Sequence, residues 1–401
     1  MRILIPWAGV EPLNGVYNWS IVDYMVNAAY KRNMGVLGVL NSTPRWAVTP
    51  GQPAIAAPPA NTQAYADFAA QVAKRYAGKV SAYEIWNEGN TGTLWAPQPN
   101  PVAYTRMLQA AYPAIKAADP NATVVAGGFI SVADYGNVAV NPVRYVQQMY
   151  AAGAKGNFDA ISFHPYQFTL PFTQGPTTGP YANISPRGQL ALIHQTMVAN
   201  GNGNKLIWAS EYVEPTSVAS EATQASYIQN FLNGWSKISY AGPPFIYTTE
   251  DRNSASTSAN DTFGLLRDDW SRKPAANVIQ QWTATHPQTA PTTVTLTAAT
   301  GTASTTTAST SSTPTAVAPV AATAVPQNTL TATAPTTETA TAPTATSTAT
   351  APTGATGTSS TTGTSGTSST TGSSSTSRTT GTSGSTTGSG SSSSTSSSST
   401  G

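Results

Sequence analysis

Short apolar runs alternate with longer amphipathic stretches from the first residues to about residue 285. The runs are Arg2–Trp7, Gly35–Leu40, Ala82–Trp86, Thr123–Ala126, Phe158–Phe163, Lys205–Ala209 and Phe245–Tyr247. They are β-branched or aromatic-rich and nearly continuous, the pattern of strands covered on both faces. Between them, apolar residues recur at helical spacing. Trp19–Arg32 carries Ile21, Val22, Met25, Val26 and Ala29, and Asn61–Tyr76 carries Tyr65, Phe68, Ala69, Val72 and Tyr76. Pro101–Ala118, Pro142–Ala152, Pro186–Asn200, Glu221–Trp235 and Lys273–Trp282 read the same way.

Such alternation predicts an α/β fold, a parallel sheet with helices outside. Strands at intervals of roughly 35–45 residues favour a (β/α)8 TIM barrel over an open doubly wound sheet. A Gly-rich phosphate loop is missing after the first strand, which argues against dinucleotide binding. Seven runs are present where a barrel needs eight. Because the chain opens directly inside a strand, the expectation is a barrel lacking its first strand and helix, with an open seam.

Composition divides the chain. Every Trp, Tyr and Phe lies at or before Trp282, and the stretch beyond is almost entirely Thr, Ser, Ala, Gly and Pro, with Glu338 and Arg378 its only charges. A segment this poor in apolar surface cannot offset the entropy of ordering. The expected organisation is a catalytic-type domain over residues 1–285 and a disordered low-complexity tail over 286–401.

A net charge of +2 without a basic cluster gives no support to nucleic-acid binding. With no cysteine, disulfides, thiolate metal sites and cysteine nucleophiles are excluded. His164, His194 and His286 are too scattered for a zinc site, so no metal and no cofactor are expected. No run of about 18 apolar residues is long enough for a membrane span. The first residues lack the pattern of a signal peptide. A Ser/Thr-rich stalk nevertheless belongs on an exported protein, so a secreted or cell-surface location is expected, with the tail a candidate wall attachment and the chain a monomer.

Functional residues of such barrels stand just past the C-terminal ends of strands. Those positions hold Trp7 and Glu11, then Arg45 and Trp46, then Asn87 and Glu88, then His164 and Tyr166, then Glu211, then Tyr247 with Glu250, Asp251 and Arg252. Aromatics and carboxylates therefore gather at one rim, the lining expected of a sugar site. Glu88 and Glu211 lie three strand–helix units apart, across the barrel mouth. Two opposed carboxyls can cleave an acetal: about 5–5.5 Å between them gives retention, and about 6.5–9.5 Å gives inversion. Strand parity puts Glu84 on the same side as Glu88, as a paired interior carboxylate. Arg2 is a candidate cation beside the carboxylate opposite. Glu214, three residues beyond Glu211, reads as a loop charge, and Trp95 reads equally as packing or as a sugar platform.

At these motifs the resemblance becomes specific. YEIWNEGN (Tyr83–Asn90) resembles the strand-four signature W-N-E-P-N of the clan A glycoside hydrolases. LIWASEY (Leu206–Tyr212) resembles their strand-seven segment, and FHPY (Phe163–Tyr166) their strand six. Trp7–Val26 is similar to W-x-x-x-E-P-x-x-G-x-Y-x-W-x-x-x-D, STPRWA (Ser42–Ala47) follows its strand as in the family, and Phe263–Ala275 resembles the closing F-G-L-x-x-x-D-x-x-x-K-P-A. The likeness covers about residues 1–283 and is nearest to families 5 and 39. Two positions depart from it: Gly89 replaces the usual Pro, and Tyr247-Thr248 stands where a Trp is common.

The resemblance implies a retaining glycosidase acting by double displacement on a β-linked polysaccharide or oligosaccharide. It assigns Glu88 as acid/base and Glu211 as nucleophile. Asn87 would bind the sugar 2-hydroxyl and Tyr166 would hold the nucleophile, with His164, Trp7, Trp46 and Tyr247 lining the site. The alternative is a catalytically impaired carbohydrate-binding or cell-surface protein built on a truncated barrel. Glucan, xylan, mannan and arabinose- or galactose-containing glycans are all compatible with these residues.

Overall fold

Strand β1 (Arg2–Pro6) lies parallel to β2 (Leu37–Asn41), with Arg2 opposite Leu37. The same relation repeats through β3 (Ala82–Ile85), β4 (Thr123–Ile130), β5 (Ala160–His164), β6 (Ile207–Tyr212) and β7 (Ala241–Ile246). The computed structural model describes residues 1–286; the expected tail lies, from residue 287, outside the described residues. Among the described residues seven strands form one sheet in sequence order. Helices α2 (Ser20–Tyr30), α3 (Thr62–Arg75), α4 (Pro101–Ala118), α5 (Pro142–Ala151), α6 (Pro186–Ala199) and α7 (Glu221–Trp235) cross between them, and α8 (Pro274–Thr285) follows β7. The result is a partial (β/α)8 barrel whose described edges are β1 and β7. No helix among the described residues is long and apolar enough to cross a membrane.

The helices begin where local chemistry starts them. Asn61, Asn100, Asn141, Ser185 and Ser220 each accept a backbone N–H of the first turn. Such caps contribute about 1 kcal/mol each. Proline follows the cap in α4, α5 and α6, where its fixed φ and missing N–H cost nothing.

Three boundaries differ from the pattern. Trp7 does not end β1; it opens a single helical turn, α1 (Trp7–Val10), whose Ala8 N–H donates to Ser42 O at 2.7 Å. Strand β4 runs four residues past Ala126, through a register shift at Gly127 and Gly128. Strand β7 starts at Ala241 and contains Pro243 and Pro244, which only an edge strand tolerates.

Strand periodicity stacks the barrel interior in layers. Leu37, Ala82, Val125 and Ala160 form the lower apolar layer, with Trp208 and Phe245 against it. Two residues further along their strands stand Glu84, Ser162 and Ser210, all buried. The outward faces join the helices in one large core. There Trp86, Trp95, Tyr104, Phe129 and Tyr145 pack edge-to-face or tilted, in a row behind the β3 terminus. Beyond β7, buried Asp251 accepts from Lys273 Nζ at 2.7 Å and from Gly264 N–H at 2.7 Å. A Cβ on Gly264 would stand 2.1 Å from Asp251 N, so glycine alone lets this clamp close.

Candidate active site

The end of β3 is bent sharply. Trp86 has φ +72° and Glu88 has φ +49°, both in the left-handed region. Non-glycine residues there carry about 1–3 kcal/mol of strain each and need the surroundings to hold them. Trp86 N–H donates to Leu40 O, Trp86 Nε1–H to Leu94 O at 2.7 Å, and Glu88 N–H to Gly128 O at 2.9 Å. The bend brings Asn87 and Glu88 over the barrel mouth.

Glu211, on β6, faces them. Its Oε1 accepts from Arg2 Nη1 and its Oε2 from the Tyr166 hydroxyl at 2.7 Å. Burial pushes the Glu211 carboxyl up, but the charges of His164 and Arg2, with the Tyr166 and Arg2 hydrogen bonds, outweigh it and hold it below the ordinary glutamate value. Tyr166 is driven the opposite way, by burial and then by the Glu211 charge, so its hydroxyl keeps its proton and remains a donor. Phe168 and Phe263 flank its ring.

His164 ends β5, fully buried. Its Nδ1 lies 3.0 Å from Glu88 Oε1 and 3.8 Å from Glu211 Oε2, and its Nε2 lies 2.9 Å from Ser210 Oγ. Burial pushes the imidazole down; the Glu211 charge and the Glu88 hydrogen bond and charge, opposed by Arg2, leave it above its ordinary value. One donor atom from each of Glu88, His164 and Glu211 lies within 4.8 Å of the others. The trio already carries its own counter-charge, the Arg2 guanidinium, so an added cation would meet a second positive charge.

Arg2 is the common partner. Its Nε donates to Glu84 Oε2 at 2.8 Å and its Nη2 to Asn87 Oδ1 at 2.5 Å, besides the bond to Glu211. The Asn87 carbonyl is thereby fixed, and its amide N–H2 is left to donate. Gly128 closes the floor: a Cβ there would sit 3.0 Å from Glu84 Oε1 and 3.3 Å from His164 Nε2, at φ +65°.

The structure thus brings together Glu88, Glu211, Asn87, His164, Tyr166 and Arg2. Tyr247 borders them, half-buried against Phe263; burial and then the Glu211 charge raise its phenol. Trp7 requires correction. It is fully buried, stacked on Phe68, with its Nε1–H donated to Glu11 Oε2 at 2.7 Å, because the α1 turn swings it into the core. Trp95 is likewise core, packed on Trp86. Trp46 is half-buried; its Nε1–H donates to Glu11 O at 3.0 Å, and it lines a cavity of about 500 Å³ with Glu11, Asn14, Tyr17, Asn61 and Asp67. His194 stacks on Tyr240 and His286 on Trp282, away from this trio. Gly128, Ser162 and Ser210 were not singled out from sequence. Strand parity with Glu84 was the available signal for the serines; the β4 register shift hid the glycine.

Glu214 is no solvated loop charge. It is fully buried, neither carboxylate oxygen has a partner among the described residues, and burial pushes its carboxyl up to about 7. A folded-state value above the unfolded 4.5 means the neutral acid fits the fold and ionisation opposes it. Stability should therefore fall as pH rises from about 4.5 to about 7, by ~3 kcal/mol at about 1.4 kcal/mol per unit. Glu214→Gln should flatten this decline and exceed the parent by ~2–3 kcal/mol at pH 8. Urea denaturation at pH 5 and pH 8 measures both arms; equal pH slopes in the two proteins would contradict the assignment.

Comparison with known proteins follows the same lines. A family model described as Cellulase (glycosyl hydrolase family 5) matches residues 1–231. Among solved structures, the chain is similar to a family 39 glycoside hydrolase from the gut symbiont Bacteroides cellulosilyticus WH2. The two share 23% identity at a TM-score of 0.58, over 69% of this chain and 56% of that one. A monomeric β-xylosidase from Caulobacter crescentus CB15 matches at 19% identity and TM-score 0.52, over 67% of this chain and 57% of that one. A family 5 subfamily 18 enzyme from Streptomyces cattleya, in complex with Manβ1-4GlcNAc, matches at 15% identity and TM-score 0.54, over 73% of each chain. These likenesses are of fold, and the chain spans little more than half the length of the first two. No curated protein matches the sequence.

Proposed function

Because this chain belongs to glycosyl hydrolase family 5, we propose that it hydrolyses O-glycosidic bonds with retention, on a β-linked polysaccharide or oligosaccharide. The observation that carries this reading is the approach of a Glu88 and a Glu211 carboxylate oxygen to within 4.8 Å. So close an approach favours direct attack by one carboxylate, the arrangement of retaining enzymes.

Glu211, ionised and aimed by Arg2 and Tyr166, attacks the anomeric carbon. Glu88 gives a proton to the leaving oxygen as the glycosidic bond breaks. In the second step Glu88 takes a proton from water, which attacks the same carbon and releases Glu211. The free Asn87 amide donates to the sugar 2-hydroxyl. Tyr247 offers an aromatic face at the border of this centre, and Trp46 offers one in the neighbouring cavity beside Glu11. The non-catalytic alternative is not favoured, since an arginine, a tyrosine and a histidine are all committed to orienting the two carboxylates. The Thr/Ser-rich composition of the stretch beyond residue 286 supports a secreted or cell-surface location.

Proton NMR of the first product formed tests the stereochemistry: the β-anomer should appear first, and an α-anomer appearing first would overturn retention. Glu88→Ala should lower turnover of an unactivated glycoside by about 10²–10⁴-fold. An aryl glycoside with an acidic phenol, which needs no proton to leave, should lose far less in the first step. Equal losses on both substrates would remove Glu88 from the acid role. A polysaccharide screen with product analysis identifies the sugar.

A further inference from the structure

The floor of the site holds a chain of hydrogen bonds whose direction can be worked out by counting hydrogens. Glu84 is fully buried and ion-paired to Arg2, so its carboxylate only accepts. Ser162 Oγ accepts Gly128 N–H at 2.5 Å and places its single hydrogen on Glu84 Oε1, also at 2.5 Å. Ser210 places its own single hydrogen on the same oxygen, at 2.7 Å. Ser210 Oγ can then meet His164 Nε2, 2.9 Å away, only as an acceptor. His164 Nε2 therefore carries hydrogen.

From this geometry we infer that Glu84 is a positioning residue: acting through Ser210, it fixes the tautomer of His164 so that Nδ1 faces Glu88 and one proton is held between them. The inference rests on the reading of Glu88 as acid/base. With Nε2 protonated, neutral His164 presents a bare Nδ1 to Glu88 Oε1 at 3.0 Å. Two acceptors do not stand at that distance without a proton between them. The proton sits on Glu88 or on Nδ1, and both arrangements hold the same single proton. In the first step it leaves with the departing oxygen. The pair is then one proton short, with a bare nitrogen against a carboxylate, and that deficit favours withdrawing a proton from the attacking water. The proton returns as water's oxygen bonds to the anomeric carbon and the bond to Glu211 breaks, so the cycle balances.

The charged and titratable groups facing His164 are Glu88, Glu211, Arg2 and Tyr166, with Glu84 behind Ser210. His194 and His286 stand elsewhere, so only three imidazoles share the spectrum. The test is long-range ¹H–¹⁵N correlation NMR on the full chain labelled with ¹⁵N-histidine, across pH and without substrate. His194→Gln and His286→Gln assign the peaks. His164 Nε2 should carry hydrogen at every pH where the protein is folded, and only Nδ1 should titrate. A bare Nε2 with hydrogen on Nδ1 overturns the proposal.

Ser210→Ala should release the lock, giving a mixture of tautomers. It should also lower kcat by roughly 10–100-fold with little change in KM and shift the alkaline limb of kcat. Glu84→Gln should do the same. Should Glu84→Gln fail to fold, Ser210→Ala decides alone. An unchanged tautomer in Ser210→Ala overturns the role of the chain. Because the tautomer is read in the resting protein, its failure is separate from a failure of the glycosidase reading, which turnover measures.

Discussion

Glu211→Ala is expected to lower turnover of a natural glycoside by roughly 10⁵-fold, since it removes the attacking atom itself. The fold should survive, because Arg2 retains Glu84 and Asn87 as partners. The variant offers a further diagnostic. The space vacated by the carboxylate lies on the face opposite the leaving group, between Arg2 and the Tyr166 hydroxyl. Azide can enter there beside the guanidinium. From an activated β-glycoside it should restore turnover and yield the α-glycosyl azide. Full activity without azide would remove Glu211 from the nucleophile role. A β-azide product would contradict the geometry. Glu214→Ala provides the contrast: three residues away and turned into the core, it should leave turnover largely intact.

The second large effect is expected at Arg2. Arg2→Met leaves buried Glu84 without its counter-charge, and breaking a buried pair from one side costs about 3–5 kcal/mol. Urea denaturation measures this loss. The same change acts on chemistry. Burial already pushes the Glu211 carboxyl up, and it is held down by the charges of His164 and Arg2. With Arg2 gone its value rises, so the acid limb of the activity profile should move to higher pH. Arg2→Met combined with Glu84→Met should recover stability without recovering activity, because the orphaned charge is removed but the donors to Glu211 and Asn87 are not restored. An Arg2→Met protein with unchanged denaturation midpoint and acid limb would show that the guanidinium is not the counter-charge of this site.

Much of this was legible in residue order. Apolar runs and helical periodicity place the seven strands and their helices to within a few residues, because burial on both faces and caps such as Asn100-Pro101 are local properties. The position of Glu88 after Trp86-Asn87, and of Glu211 at the end of its own run, follows from the same reading. So does the parity that aims Glu84 inward. Trp7 is the instructive failure. Its place after an apolar run reads as a strand end at the rim, yet one helical turn rotates it into the core, and that turn is tied by Ala8 N–H to Ser42 O, just past the end of the next strand.

Tertiary structure alone decided the wiring. Arg2, Glu84 and Glu211 come from three different strands, and no local pattern says that one guanidinium spans both carboxylates. The β4 bulge, which lets Gly128 come up against Glu84 and His164, is a register shift between strands; Gly127-Gly128 permits it, but the contacts it makes are set across the sheet. Glu214 and Glu211 are three residues apart, both acidic and both buried; only the partners each one meets make one an oriented anion and the other an acid pushed towards neutrality. Sequence thus determined which residues reach the barrel mouth, because periodicity and caps act over a few residues. Their charge and proton state were decided by contacts across the sheet, since a carboxylate's ionisation depends on the charges and donors within a few ångströms of it, whatever their distance along the chain.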